Sequence, residues 1–355
     1  MCLDVCWAGK SQSTKSVSSA LNREHIGTRD RHGISGQSHQ ADELRLSAVN
    51  NKVSRTLNRL LSIPTRISRI QEALGRIEQR QIEHCSDYRK AEFRVFSQWG
   101  EDGLIQFLLR HVPIERQLFV EFGVENYTES NTRFLLTNNH WSGLIIDGSA
   151  ENIAYVKRDP VYWATNLKAE NAFITRENIN DIISRNGVTG DIGLLSVDID
   201  GNDYWVLEAI DVISPRIIIC EYNGHFGPTA KVTTPYDPSF TREAAHFSKV
   251  YYGASIAALN TLASGKGYSL VASNSAGNNI FFVRNDSLGG LSVLTPEEAY
   301  VRAQFREYHD ETGRLTFYDF QQRLQKILHL PVYDLDRDQV MPIGDIVEIT
   351  RRAAD

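Results

Sequence analysis

The chain has 355 residues, 41% hydrophobic and 23% charged, which suits a globular protein of one large domain with extensions. A net charge of -6 excludes a general nucleic-acid binder, and no apolar run approaches the length of a membrane span. The N-terminus lacks a basic start followed by an apolar core, so no secretory signal is expected, and four scattered cysteines (Cys2, Cys6, Cys85, Cys220) suit a reduced, cytoplasmic setting.

Residues 1–42 are rich in Ser, Gln, Gly, Arg and His without periodicity and read as a disordered leader. Over 43–92, Val53, Leu57 and Leu60, then Ile67, Ile70, Leu74 and Ile77, fall at helical spacing on either side of Pro64. This predicts two amphipathic helices with a break. The two runs read as out of phase, which favours packing on the main domain over a coiled-coil handle for self-association or partner docking.

The main domain is expected over 93–290. Ser97 is placed to cap a helix that begins with Glu101 and Asp102 and carries Leu104, Ile105, Leu108 and Leu109. Strands are predicted at 117–123, 143–147, near 161–166, at 191–198 and at 215–221, with helices over 177–186, 204–210 and 252–265. Two last runs, starting at Tyr268 and Asn279, are separated by a short Asn/Gly turn and predict an antiparallel pair. Alternating strands and helices imply an α/β fold: a mostly parallel seven-stranded, Rossmann-like sheet with a terminal antiparallel hairpin. Residues 291–355 read as a helical extension with one helix through Phe317 to Leu328.

The chemistry concentrates at predicted strand ends. Phe119-Val-Glu-Phe-Gly-Val-Glu125 reads as a buried strand, a turn opened by Gly123, and then a helix capped near Ser130 or Asn131. Asp147 ends the second strand, where an acid can hold a ribose diol. Nicotinamide folds use three glycines to seat a pyrophosphate on a helix N-terminus. Here Gly123 stands alone, and Glu121 and Glu125 would repel a pyrophosphate. S-adenosylmethionine carries a sulfonium and an ammonium and no phosphate, so these carboxylates suit it. Strand four ends in Asp198-Ile-Asp-Gly-Asn-Asp203 and strand five in Glu221-Tyr-Asn-Gly-His225. Crowded carboxylates call for a counter-cation. We expect Asp198, Asp200, Glu221 and Asn223 to hold a divalent cation such as Mg²⁺, with Asp200 acting in catalysis through it and His225 taking the acceptor's proton. Gly201 has a plainer reading as a turn, and Asn202 and Asp203 as caps of the next helix.

Several ordered motifs resemble the FkbM-type S-adenosylmethionine-dependent methyltransferases. They are Phe96-Ser-Gln-Trp-Gly-Glu-Asp-Gly103, Phe119 to Glu125, Trp141-Ser-Gly-Leu-Ile-Ile-Asp-Gly148 and Ser196-Val-Asp-Ile-Asp-Gly201, spread over about 93–285. The resemblance implies methyl transfer to oxygen, often on sugars or natural products. It implies that Glu121 and Gly123 match the first cofactor motif, Asp147 the ribose acid, and Asp198 to Gly201 the strand-four motif. Tyr127 departs from it, standing where family members often have a second glycine, and is expected to narrow the cofactor pocket or stack on a ligand. The acid-rich end of strand four is similar to metal-dependent O-methyltransferases. The expected function is therefore an S-adenosylmethionine-dependent O-methyltransferase on a sugar, glycan or natural-product-like acceptor. Its rivals are an inactive methyltransferase-like scaffold in a glycan-assembly complex and, less well supported by the glycines, a nicotinamide-dependent oxidoreductase.

Overall fold

The computed structural model describes residues 47, 52–57, 59–60, 63–305, 308–347 and 349. The expected leader therefore lies outside the described residues. The chain divides into two compact units, 1–63 and 64–355, and the second carries everything below except where stated.

Ten strands follow in chain order: β1 Leu118–Phe122, β2 Ser142–Asp147, β3 Leu167–Asn171, β4 Gly190–Val197, β5 Ile213–Glu221, β6 Val232–Thr233, β7 Tyr268–Ser273, β8 Asn279–Arg284, β9 Pro331–Asp334 and β10 Gln339–Pro342. Seven form one sheet in the order β3-β2-β1-β4-β5-β8-β7. Neighbours from β3 to β5 pair in parallel, and β8 runs antiparallel to both β5 and β7. This is the mostly parallel, seven-stranded Rossmann-like sheet with a terminal antiparallel hairpin expected from the sequence. The strand order reverses between β1 and β4, so the ends of these strands open a crevice at the switch point.

The central strands are legible as apolar runs because both faces are covered. Val120, Phe122, Leu195, Val197 and Ile218 enter one core with helices Ile179–Arg185, Asp203–Ala209 and Ile256–Gly265. The alternating residues Phe119, Ile145, Leu194, Ile217 and Ile219 enter the other. That second core also takes the helices Glu101–Leu109 and Arg133–Asn138. Each fully buried large side chain contributes about 1.5–3 kcal/mol of burial.

Strand three is a correction. The expected segment 161–166 overlaps a short helix, Pro160–Ala164, and the strand is the next segment, Leu167-Lys-Ala-Glu-Asn171. Pro160 supplies a first-turn residue whose φ suits a helix, and the Asp159 carboxylate accepts from Val161 N at 2.9 Å. β3 is an edge strand, so it needs no continuous apolar run.

The C-terminal segment also differs from the expected helical extension. Besides helix Phe320–Ile327 it supplies β9 and β10, and β9 pairs with β6 to make a three-stranded sheet. A third core of Phe226, Val232, Tyr251, Leu324, Ile327 and Val332 lies there. The segment from Gly224 to Phe240 is thereby tied to the chain's far end.

Helix α1, Ile63–Gln81, corrects the expectation that its apolar stripe packs on the main domain. Its inward face is small and polar. A side chain at Gly75 would collide with Val95 and Phe134, Gln79 hydrogen-bonds to Gln106 at 2.7 Å, and Asn138 donates to Gln79 at 3.1 Å. Ile67, Ile70, Leu74 and Ile77 are instead 51%, 60%, 56% and 51% exposed. Val53, Leu60, Ile67 and Leu74 recur every seven residues in sequence, but Leu57 follows Val53 by four residues whereas Ile70 follows Ile67 by three, so the runs on either side of Pro64 share one seam position and not the other. The break expected at Pro64 adjoins residues 61–62, outside the described residues.

Candidate functional site

The ends of β1, β2, β4 and β5 meet around one glycine. Gly123 follows β1 with φ 67, and a Cβ there would overlap the Asp198 carbonyl oxygen at the end of β4. Only glycine allows these two strand ends to close so tightly. Beyond it the backbone turns through left-handed conformations at Glu125 (φ 46) and Tyr127 (φ 62), and Asp200 on the facing turn has φ 56. Such conformations in residues other than glycine cluster at ligand sites.

Two cavities share this junction, both lined by Gly123, Glu125, Asp198, Asp200, Arg242 and Glu243. The first adds Asp147 and the apolar Ile146, Phe173, Ile174 and Ile199. The second adds Glu121, Ser130, Asn131, Glu221, Lys249 and Asn279. The first is therefore a slot that sets an apolar wall opposite the shared acids and Asp147, and the second is a bowl with further carboxylates and polar groups.

Asp147 is held rigidly. Its Oδ2 accepts from Glu125 N at 2.8 Å, and its Oδ1 accepts from Ser149 N at 2.8 Å and Asn152 Nδ2 at 3.3 Å. Glu121 is buried and accepts from Asn131 N at 2.8 Å, from Thr132 N at 3.2 Å and from the Thr132 hydroxyl. Burial nonetheless pushes its carboxyl up to about 7. Glu121 thus fixes the loop that enters helix Arg133–Asn138. Burial, and then the charge of Asp147, also raises Glu125.

Asp198, Asp200 and Glu221 bring carboxylate oxygens within 4.8 Å of one another. Glu221 is more than nine-tenths buried, and its Oε2 has no hydrogen-bond partner among the described residues. Burial, then Asp198 and Asp200, pushes Glu221 well above the usual carboxylate range. Asp198 is raised by burial and by Asp200 and Asp203. Arg242 answers part of this charge: its Nη1 donates to Asp200 at 2.7 Å, while the guanidinium lies over the Tyr252 ring. No sequence motif singled out Arg242, which stands 42 positions after Asp200. Only the fold brings the two together.

Two expected members of the site are elsewhere. The Asn223 amide is spent on structure, donating to Val250 O at 2.9 Å and Tyr252 O at 3.0 Å and accepting from His225 N at 3.0 Å. It has no capacity left for a metal. His225 lines neither cavity. Its ring stacks on Phe320 with centroids 4.9 Å apart, and Nδ1 lies 2.9 Å from Asn223 Oδ1. Burial, then the charges of Arg323 and Arg242, lowers it to about 3. A buried imidazole that resists protonation and faces away from the cavities is not the general base expected of it.

Tyr127 is the third correction. It is fully buried, in contact distance of Thr132 through its hydroxyl (3.0 Å) and under the Arg133 guanidinium, and it lines neither cavity. Its left-handed backbone turns the ring into the core, so it does not narrow the pocket. The acids of the Phe96–Gly103 motif are structural too. Asp102 accepts from the N–H groups of Val95, Phe96 and Ser97, and Glu101 from Asn274 and Asn279. Of the aromatics between Gly224 and Phe240, Phe240 lines the first cavity, whereas Phe226 is core and Tyr236 pairs with Glu177. Asp203 folds back on its turn, accepting from Ile199 N and Gly201 N, and the N-cap of helix Asp203–Ala209 is Asn202, whose side chain makes no capping bond.

No family model matches the chain, and no curated protein matches it. Among solved structures, it is similar to the N-terminal domain of EvdMO1 with SAH bound, at 13% identity over 59% of this chain and 95% of that one, with TM-score 0.36. It is also similar to M. capricolum TrmK in complex with SAH, at 12% identity over 70% and 93% with TM-score 0.33. A third is an S-adenosylmethionine-dependent methyltransferase from Clostridium acetobutylicum ATCC 824, at 14% identity over 46% and 64% with TM-score 0.26.

Proposed function

We propose that this chain is an S-adenosylmethionine-dependent methyltransferase that methylates a hydroxyl of a sugar, glycan or natural-product-like acceptor. The observation that carries the reading is the pair of cavities at the switch point. The slot beside Asp147 offers apolar walls for an adenine and an acid for a ribose diol. The adjoining bowl offers carboxylates to a cationic ligand that has no phosphate. When bound, the cofactor supplies an electrophilic methyl group: its S–CH₃ bond breaks with the electron pair left on sulfur, and an O–CH₃ bond forms.

The chain must align the acceptor oxygen and remove its proton. Glu221 is the group we assign to that proton. It lines the bowl, one oxygen is unpaired, and burial beside Asp198 and Asp200 raises its basicity. Arg242 balances the neighbouring charge of Asp200. With Tyr127 in the core, the feature that motivated an inactive scaffold is gone. The proposal includes a cytoplasmic setting, supported by the free thiols of Cys85 and Cys220.

A second reading assigns the same carboxylates to a divalent cation. Asp198, Asp200 and Glu221 are hard oxygen donors at suitable mutual distance, and Mg²⁺ held by them would supply Lewis-acid polarisation of the acceptor hydroxyl. Arg242 would have to leave Asp200, and Asn223 would take no part. Calorimetry with S-adenosylhomocysteine, with and without Mg²⁺, tests both. We expect binding in chelator that Asp147→Ala weakens. No binding under any condition would overturn the methyltransferase reading. Turnover abolished by chelator would move Glu221 from base to ligand.

A further inference from the structure

We propose that α1 belongs to a parallel coiled coil through which three or four copies of this chain assemble. Ile63, Ile67, Ile70, Leu74 and Ile77 follow a 4-3-4-3 spacing, the seam of a heptad repeat, and all five are exposed. The stripe points away from the body, because Gly75 and Gln79 lie on the opposite, docked face. In heptad terms Ile67 and Leu74 are a positions and Ile63, Ile70 and Ile77 are d positions. The docked residues then fall at b and f, the outer positions of a coiled coil. The body therefore sits outside the seam and leaves it clear.

The occupant follows from identity and charge. Isoleucine at every d position of α1, with isoleucine and leucine at a, favours three or four strands over two. Upstream in the sequence, Leu46, Val49, Val53 and Leu60 fall on the same register, with Thr56 interrupting it at d. The g positions Arg66 and Arg80 form one flank of the seam, with Arg69 and Arg76 beyond them, and the e positions Gln71 and Glu78 form the other. In a parallel arrangement each g residue meets an e residue of its neighbour, so Arg66 faces Gln71 and no arginines meet. An antiparallel arrangement would set g against g and bring Arg66 and Arg80 together, which like charges oppose. A lipid surface is the rival occupant. A helix lying in an anionic interface gains from basic side chains on both sides of its apolar face. Here the second flank carries Glu78 and no basic residue over the described helix.

The test is the mass of the full chain by light scattering, for wild type, Ile70→Glu/Leu74→Glu and Ala73→Lys. We expect wild type at three or four protomers and the double variant at one, a three- to fourfold drop, with an unchanged melting temperature. Ala73→Lys places a cation against Glu78 of a parallel neighbour and should tighten assembly several-fold. A monomeric wild type, or an assembly that survives the double substitution, would overturn the proposal. A dimer would overturn the stoichiometry, and weaker assembly in Ala73→Lys would overturn the parallel orientation. A monomer that binds vesicles of anionic phospholipid would hand the surface to a membrane instead.

Discussion

Two glutamates sit at the carboxyl ends of β1 and β5, on the same rim of the same sheet and almost equally buried, yet their surroundings are opposite. Glu121 accepts two backbone N–H groups and a hydroxyl, so its charge is used to hold a loop. Glu221 has an oxygen with no partner and two carboxylates as neighbours. A buried acceptor whose bonds are made is part of the scaffold. One left unpaired destabilises the fold, and where it also lines a cavity among other carboxylates, as Glu221 does, it marks a candidate place for a ligand or a reaction. The pair therefore separates structure from chemistry within one constellation of acids.

Substitutions can break that separation. The largest effect is expected from Glu221→Gln, which keeps shape and removes the base. Turnover should fall by about 10²–10⁴-fold with no loss of thermal stability. In wild type the rate should rise with pH through an apparent pKa above the ordinary carboxylate range, because only the ionised form accepts a proton. A rate profile flat from acid to neutral pH would refute the assignment.

Glu121→Ala is the mirror experiment. It leaves the N–H groups of Asn131 and Thr132 without their acceptor, and stability should drop by about 2–4 kcal/mol in denaturant titration. If activity collapsed while stability held, Glu121 would belong with the chemistry. Asp147→Ala should weaken S-adenosylhomocysteine binding by about ten- to a hundredfold, equivalent to losing one or two hydrogen bonds to a charged group. An unchanged affinity would remove the slot from the cofactor site.

The smallest effect concerns His225. Its folded-state value, about 3, lies below the ordinary 6.5, so it stays neutral while the unfolded chain takes up a proton. Its stabilising share is intact above pH 6.5 and is lost as pH falls towards 3. Relative to wild type, His225→Gln should gain about 1 kcal/mol by pH 5.5. A difference in stability that did not change with pH would show that the imidazole titrates normally.

What could be read in advance follows burial. β1, β2, β4 and β5 are covered on both faces and appear as unbroken apolar runs, and their terminal acids were found because a strand end is a fixed address. β3 escaped because an edge strand can be Leu-Lys-Ala-Glu-Asn, while the more apolar Val161-Tyr-Trp before it follows a helix-starting proline. His225 departs from its expected place for a related reason. His225 has an ordinary sequence context, and what silences it is Phe320, 95 positions away. Arg242 has no local signature either. The stripe of α1 has the spacing of a packed amphipathic helix, and its exposure follows from Gly75 and Gln79 taking the docked face instead.

The pairing of β6 with β9 makes the segment beside the site inseparable from residues a hundred positions downstream. Trp205 joins the arrangement, donating to Thr234 O at 2.9 Å and packing its ring on Tyr236 and Tyr333. Grafting another loop between Gly224 and Phe240 would strip β9 of its neighbour and expose its edge. Loop and tail can therefore be exchanged only as a single cassette, and a change in one calls for a compensating change in the other.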